Sequence, residues 1–160
     1  MNVAYLLIGG NIGNRLQHLQ SATKAINEHC GNIKYKSHVY ETAAWGMNDQ
    51  ESFLNQALMV TTTLSPEELL NTILSIEQQS GRIRDKKFGP RIIDIDILLF
   101  NDVILDLEDL KIPHPELIHR RFALQCLDDI APDKIHPVYK KTIRTLLKEC
   151  TDDLRVDKFD

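Results

Sequence analysis

Cysteine is scarce in this 160-residue chain: Cys30, Cys126 and Cys150 are three in number, widely separated, and form no C-x-x-C pair. That excludes zinc or thiol exchange built on cysteine spacing and suits a reducing compartment. Long hydrophobic runs are missing too. The longest, Val3 to Ile8, is far short of the roughly 20 residues that cross a bilayer. No basic-then-apolar leader opens the chain, so a soluble, cytoplasmic protein is expected, with no membrane partner. Gly and Pro, at 7 and 6 residues, stand singly at turns, and no repeat or low-complexity tract occurs. A single domain over residues 1–160 is therefore expected. There is no excess of positive charge: the net charge of −4 disfavours a protein that coats nucleic acid by neutralising phosphates. Any anion site must be a local basic patch.

Several catalytic signatures are absent as well. Without G-x-x-x-x-G-K-[ST], phosphates are not cradled by a P-loop. Serine hydrolysis and zinc catalysis have neither a G-x-S-x-G elbow nor an H-E-x-x-H helix to stand on. Gly9-Gly10-Asn11-Ile12-Gly13 does not give G-x-G-x-x-G in any register and reads as a strand-to-helix turn.

What is present is enough apolar residue, 42% against 26% charged, to bury a sizeable core and to exclude intrinsic disorder. Val3 to Ile8 reads as a buried central strand. Leu16, Leu19, Thr23 and Ile26 mark a helix between the N-cap Asn14 and the stop Gly31. Ile33–Glu41 and Ala57–Thr63 read as strands, with an irregular stretch from Thr42 to Ser52 between them. Ser65-Pro66-Glu67-Glu68 is a capping box opening a second helix that ends near Gly81. Ile92–Phe100 is a strand, Pro113-His114-Pro115 a break, and Phe122–Ile130 a short helix. Val138–Leu147 has the pattern of an amphipathic helix, and Thr151–Asp160 of a fraying terminus. The order β-α-β-β-α-β predicts an α+β, ferredoxin-like sandwich with a mostly antiparallel sheet and a C-terminal helical extension.

Chemistry concentrates at Gly81 to Ile97. Arg82, Arg84, Lys86, Lys87 and Arg91 form a basic loop bounded by Gly81, Gly89 and Pro90, and it runs into Asp94 and Asp96. On a strand those two acids share one face, while Ile93, Ile95 and Ile97 face the core. Paired carboxylates suit Mg²⁺, which keeps waters and takes substrate phosphates as further ligands. The arginines suit phosphate oxygens. For an isolated D-x-D the solvent face of an edge strand is the commoner reading, and the basic loop beside it reverses that preference.

Other residues admit two readings each. Trp45, Phe53, Phe88 and Phe122 lie in or beside loops, where rings can sandwich a flat ligand, although Phe53 and Phe122 taken singly read as core. Asn55 offers amide hydrogen bonds to a heterocycle or sits on an exposed strand face. His114 with Arg120-Arg121 meets a phosphate chain or decorates a surface turn. Glu77 contacts a ribose hydroxyl or caps its helix.

Lys87-Phe88-Gly89-Pro90-Arg91-Ile92-Ile93-Asp94-Ile95-Asp96-Ile97-Leu98 resembles the signature of the 6-hydroxymethyl-7,8-dihydropterin pyrophosphokinase family. The resemblance extends through Gly9, Asn11, Phe53-Leu54-Asn55, Ser65 to Asn71, Ile76-Glu77, Gly81 to Arg84 and Pro113-His114. Only the last thirty residues resemble nothing firmly. It implies transfer of the β,γ-diphosphoryl group of ATP to the hydroxymethyl oxygen of a reduced pterin, releasing AMP, in folate biosynthesis. Two Mg²⁺ ions would sit on Asp94 and Asp96. Arg82 and Arg91 would be catalytic with those acids. Glu77, Arg82, Arg84, Arg91, Ile97, His114 and Arg120 would bind ATP. Thr42, Ala43, Trp45, Phe53, Asn55, Phe88, Asp94 and Phe122 would hold the pterin. A monomer working on these two small molecules is expected. The chain departs from the family pattern at Gly10 (usually serine), Phe88 (tryptophan), Asp109 (arginine) and Leu74 (a polar residue). A nucleotidyltransferase is disfavoured because Gly10 and Asp94 lie in opposite halves of the chain. The alternative from another class is a non-catalytic ferredoxin-like nucleotide-binding module.

Overall fold

In the computed structural model, which describes residues 1–43, 51–81 and 92–159, the Val3–Ile8 run lies inside strand β1 (Asn2–Gly10). Its even-numbered residues Ala4, Leu6 and Ile8 enter one apolar cluster, and Tyr5 and Leu7 enter a second. Successive strand side chains point to opposite faces, so a strand apolar on both faces requires a layer on each side.

The first layer is helical and well signposted. In α1 (Arg15–His29), Asn14 caps the first turn by accepting the N–H of Gln17, and Leu19, Ala22 and Ile26 are buried. After β2 (Asn32–Lys36), β3 (Tyr40–Thr42) and β4 (Phe53–Thr62) comes α2 (Pro66–Gln79). It opens on the capping box: Ser65 Oγ accepts the N–H of Glu68 at 3.2 Å, and Glu68 Oε1 accepts the N–H of Ser65 at 2.9 Å. Such a cap contributes about 1 kcal/mol. Gly81, at φ 82°, follows the helix in the left-handed region that glycine occupies without steric cost.

Beyond β5 (Asp94–Phe100) and the two-residue strands β6 (Leu105–Asp106) and β7 (Lys111–Ile112), the second layer begins. There α3 (Arg121–Ile130) buries Ala123, Leu124 and Leu127, and α4 (Ile143–Glu149) buries Ile143 and Leu146. A last strand, β8 (Val156–Lys158), closes the chain. The main sheet runs β5-β1-β4-β3-β8, with β2 also on β4, and every pairing in it is antiparallel. Helix α1 links β1 to β2 across β4, and α2 links β4 to β5 across β1, which is the ferredoxin-like pattern of split βαβ units.

Several expectations are corrected. Ile33–Glu41 is two short strands, because the chain turns away after Lys36 and rejoins β4 at Tyr40. β4 starts at Phe53, ahead of Ala57, so Phe53 and Asn55 belong to the sheet. The C-terminal helix covers Ile143–Glu149, with Thr142 as its cap; Val138 to Lys141 precede it. The expected fraying tail instead contributes β8, paired with β3. The helical extension is also more than an appendage, since α3 and α4 cover the second sheet face and make three layers.

Candidate active site

Register brings the predicted residues to one end of the sheet. Gly9 is flanked by Asp94 on one side and Asn55 on the other, and Asn55 is paired in turn with Tyr40. Partners directly opposite share a face. It is the α3 face, because Leu7, the partner of Asp96, and Ala57 and Tyr40 all lie in the cluster that α3 builds. By strand alternation Phe53, Asn55, Thr42, Asp94 and Asp96 look to the same side. Phe122, in the first turn of α3, packs partly buried against that cluster.

On the β5 flank, Asp94 and Asp96 are half-buried while Ile95 and Ile97 are buried on the α2 face, as the alternation predicts. Ile97 is 6% exposed. The turn Pro113-His114-Pro115 is held to β5 by the His114 N–H, which donates to Leu98 O at 3.0 Å. Burial, followed by the charge of Arg120, pulls the His114 imidazole below its ordinary pKa, so the ring is neutral at pH 7. Its Nδ1 accepts the N–H of Glu116 at 3.1 Å, which leaves the ring proton on Nε2. That atom stands 4.0 Å from Asp96 Oδ1. With a neutral imidazole this is a polar contact, not an ion pair.

A groove of about 270 Å³ runs along this edge, lined by Leu70 of α2, Asp96, Ile97, His114, Lys111 and Asp109. Of these, Leu70 and Lys111 were not named as site residues from the sequence, since each looks like an ordinary helix or turn residue until β7 is folded beside β5. Asp109 puts an acid at the groove. Glu77 does not project into solvent as a capping residue would. It is 1% exposed, and its Oε2 accepts the N–H of Ile95 at 2.7 Å, fastening the end of α2 to β5.

The β4 flank is built differently. Asn55 is 4% exposed, which corrects the reading of an exposed strand face, and its Nδ2 donates to Thr42 Oγ1 at 3.2 Å. A Cβ on Gly9 would stand 2.5 Å from Asn55 Oδ1. Glycine at that position is what lets the amide lie across β1. Tyr40 OH donates to Asp129 at 2.9 Å and ties β3 to α3; burial and that hydrogen bond push the phenol well above its ordinary pKa. Ala43 is exposed just beyond β3.

Not everything expected converges. Arg120 is near enough to His114 to depress its pKa, but Arg121 turns the other way. Its Nε and NH2 donate to Asp152 O and Cys150 O, each at 2.8 Å. The expectations for Trp45, Arg82, Arg84, Phe88 and Arg91 lie outside the described residues. Among the described residues no cluster of three or more His, Cys, Asp and Glu side chains is arranged to hold a metal. Two carboxylates on one strand face still fit Mg²⁺, which retains waters and draws further ligands from substrate phosphates.

Fold and site together give an α+β scaffold with a carboxylate pair beside an edge groove, an arrangement that suits the metal-assisted transferase class. Residues 5–132 match the family model 7,8-dihydro-6-hydroxymethylpterin-pyrophosphokinase, and the chain belongs to that family. It is similar to the 2-amino-4-hydroxy-6-hydroxymethyldihydropteridine pyrophosphokinase of Aquifex aeolicus, 41% identical over 151 residues covering 94% of each chain. The protein of the same name from Bacillus subtilis is 41% identical over 130 residues, 81% of this chain and 78% of that one. Among solved structures, the Plasmodium falciparum HPPK-DHPS shares the fold at TM-score 0.74 and 23% identity, over 93% of this chain. This chain spans 43% of that longer one.

Proposed function

We propose that this enzyme transfers the β,γ-diphosphoryl group of ATP to the hydroxymethyl oxygen of 6-hydroxymethyl-7,8-dihydropterin, giving AMP and the pterin diphosphate. The observation that carries the reading is the row Asp94, Gly9, Asn55 across three paired strands. It sets a charged subsite and a buried amide side by side on one face, at a spacing that suits a polyphosphate meeting a small heterocycle.

In this reading the groove along β5 takes the nucleotide, and His114 and Arg120 meet its phosphates. Neutral His114 donates from Nε2, and Arg120 supplies the charge. Two Mg²⁺ ions held by Asp94 and Asp96 would neutralise phosphate charge and align the attacking and leaving oxygens. Asn55 reads the polar edge of the pterin, with Thr42 and Ala43 beside it, and Phe53 and Phe122 supply aromatic faces. The hydroxymethyl oxygen bonds to the β-phosphorus as the bond from that phosphorus to the α,β-bridging oxygen breaks. AMP leaves with the electron pair, and the hydroxyl proton passes to solvent. Positioning and charge neutralisation account for most of the catalysis in such transfers. The sequence-based roles for Arg82, Arg84, Arg91, Trp45 and Phe88 complete the proposal, as does a monomeric single-domain enzyme working in the cytoplasm without nucleic-acid or membrane partners. Free, buried Cys30, Cys126 and Cys150 are compatible with that compartment, and among the described residues no helix is long and apolar enough to cross a membrane.

The test is phosphorus NMR of the products formed from ATP, Mg²⁺ and the pterin. AMP with pterin diphosphate supports the reading. ADP, or an adenylated pterin, points to a different transfer, and unchanged ATP favours a binding module.

A further inference from the structure

The family model ends at residue 132, yet residues 150–159 touch both elements that carry the proposed pterin contacts. We propose that Cys150–Phe159 is a positioning element of the pterin subsite, an inference that rests on the function proposed above.

Two sets of contacts make the case. At the start of α3, no side chain of Arg120 caps the helix, and the tail takes over. Asp152 Oδ2 accepts the N–H of Arg121 at 3.0 Å while Oδ1 accepts the N–H of Leu154 at 3.0 Å. A carboxylate there satisfies a helix N–H and complements the helix dipole. Arg121 returns the grip through Cys150 O and Asp152 O. Phe122, the next residue, is thus set by the tail.

Further along, β8 pairs with β3, and Val156 falls opposite Thr42. Thr42 is therefore held between Phe53 on β4 and Val156 on β8. Phe159 N–H donates to Val39 O at 2.8 Å, and its ring lies 5.6 Å from the guanidinium of Arg15. Arg15 in turn donates to Glu41 Oε2 at 2.9 Å and to Ser52 O at 2.9 Å. Ser52 Oγ also donates to Glu41, and the two donors together hold that carboxyl below its ordinary pKa. Glu41 and Ser52 immediately precede Thr42 and Phe53. The tail thus acts on the pterin subsite at two points, the first turn of α3 and the β3–β4 pair, without itself contributing a ligand-reading group.

The experiment uses the full chain with Asp152→Ala and Phe159→Ala, each beside its conservative variant Asp152→Asn or Phe159→Tyr. Steady-state kinetics for both substrates, direct pterin binding and thermal midpoints are measured. Each alanine variant is expected to raise the pterin KM about fivefold while the ATP KM stays within about twofold; Phe159→Tyr restores it, and Asp152→Asn, which keeps one acceptor oxygen for the two N–H groups, restores it in part. A lower midpoint with an unchanged pterin KM, or equal rises in both KM values, overturns the proposal as a merely structural role. Wild-type protein that yields no AMP and pterin diphosphate overturns the functional reading and this inference with it. Active wild type with kinetically silent variants overturns this inference alone.

Discussion

In the proposed reaction the two flanks of β1 meet different recognition problems. Toward β5 the site is charged and open: half-buried Asp94 and Asp96, a neutral His114 and a solvent-facing groove. Toward β4 it is neutral, buried and already hydrogen-bonded, with Asn55 on Thr42 and Tyr40 on Asp129. A polyphosphate carries its own charge and counter-ions, so its subsite is completed on binding. A flat heterocycle needs its amide partner in place beforehand, because ordering that partner at binding would cost affinity.

Removing the charged flank gives the largest effect. Asp94→Ala with Asp96→Ala is expected to lower turnover on the order of 1,000-fold with little change in thermal midpoint, since both side chains are half-exposed. Product assay beside a melting curve checks it, and retained turnover would place the reaction elsewhere. Next, Gly9→Ala pushes a methyl against Asn55 Oδ1 and should raise the pterin KM about tenfold while sparing that of ATP. An equal effect on both substrates would erase the distinction between flanks.

Glu77 sharpens the contrast. In urea, Glu77→Ala should cost about 2 kcal/mol by stripping the Ile95 N–H of its acceptor, and Glu77→Gln less, because an amide oxygen still accepts. Unchanged stability with a raised ATP KM would instead favour the ribose contact. The smallest effect lies away from both flanks. Burial lowers the pKa of His136, whose Nδ1 accepts the N–H groups of Val138 and Tyr139. The unfolded chain therefore takes up the proton first, and stability falls as pH drops through 6.5 toward the folded-state value. His136→Gln should flatten the slope between pH 7.5 and 5.5 by less than about 1 kcal/mol in chemical denaturation, while His114, depressed likewise, keeps part of it.

Legibility followed range. The helix starts at Asn14 and Ser65 were readable because a cap and its partner lie within three residues. The shared face of Asp94 and Asp96 was readable from strand alternation alone. Asn55 was ambiguous because its burial depends on α3, more than sixty residues later, and on the missing side chain at Gly9. Arg120 and Arg121 read as one basic pair beside the His114 turn, and nothing local shows that the tail holds Arg121 through Cys150 and Asp152. The tail read as a fraying terminus because nothing within a polar decapeptide reveals that β3 leaves an edge for it to pair with.

What the sequence determined by itself was chemistry and local geometry: the metal-suited acid pair, the caps, the strand and helix periods, and the family signature. All of these act between residues close in the chain. The tertiary structure alone decided which side chains became buried, that Arg121 is held by the tail, and that the final strand pairs with β3. Those outcomes depend on contacts between distant segments, and such contacts exist only once the sheet has set its strand order.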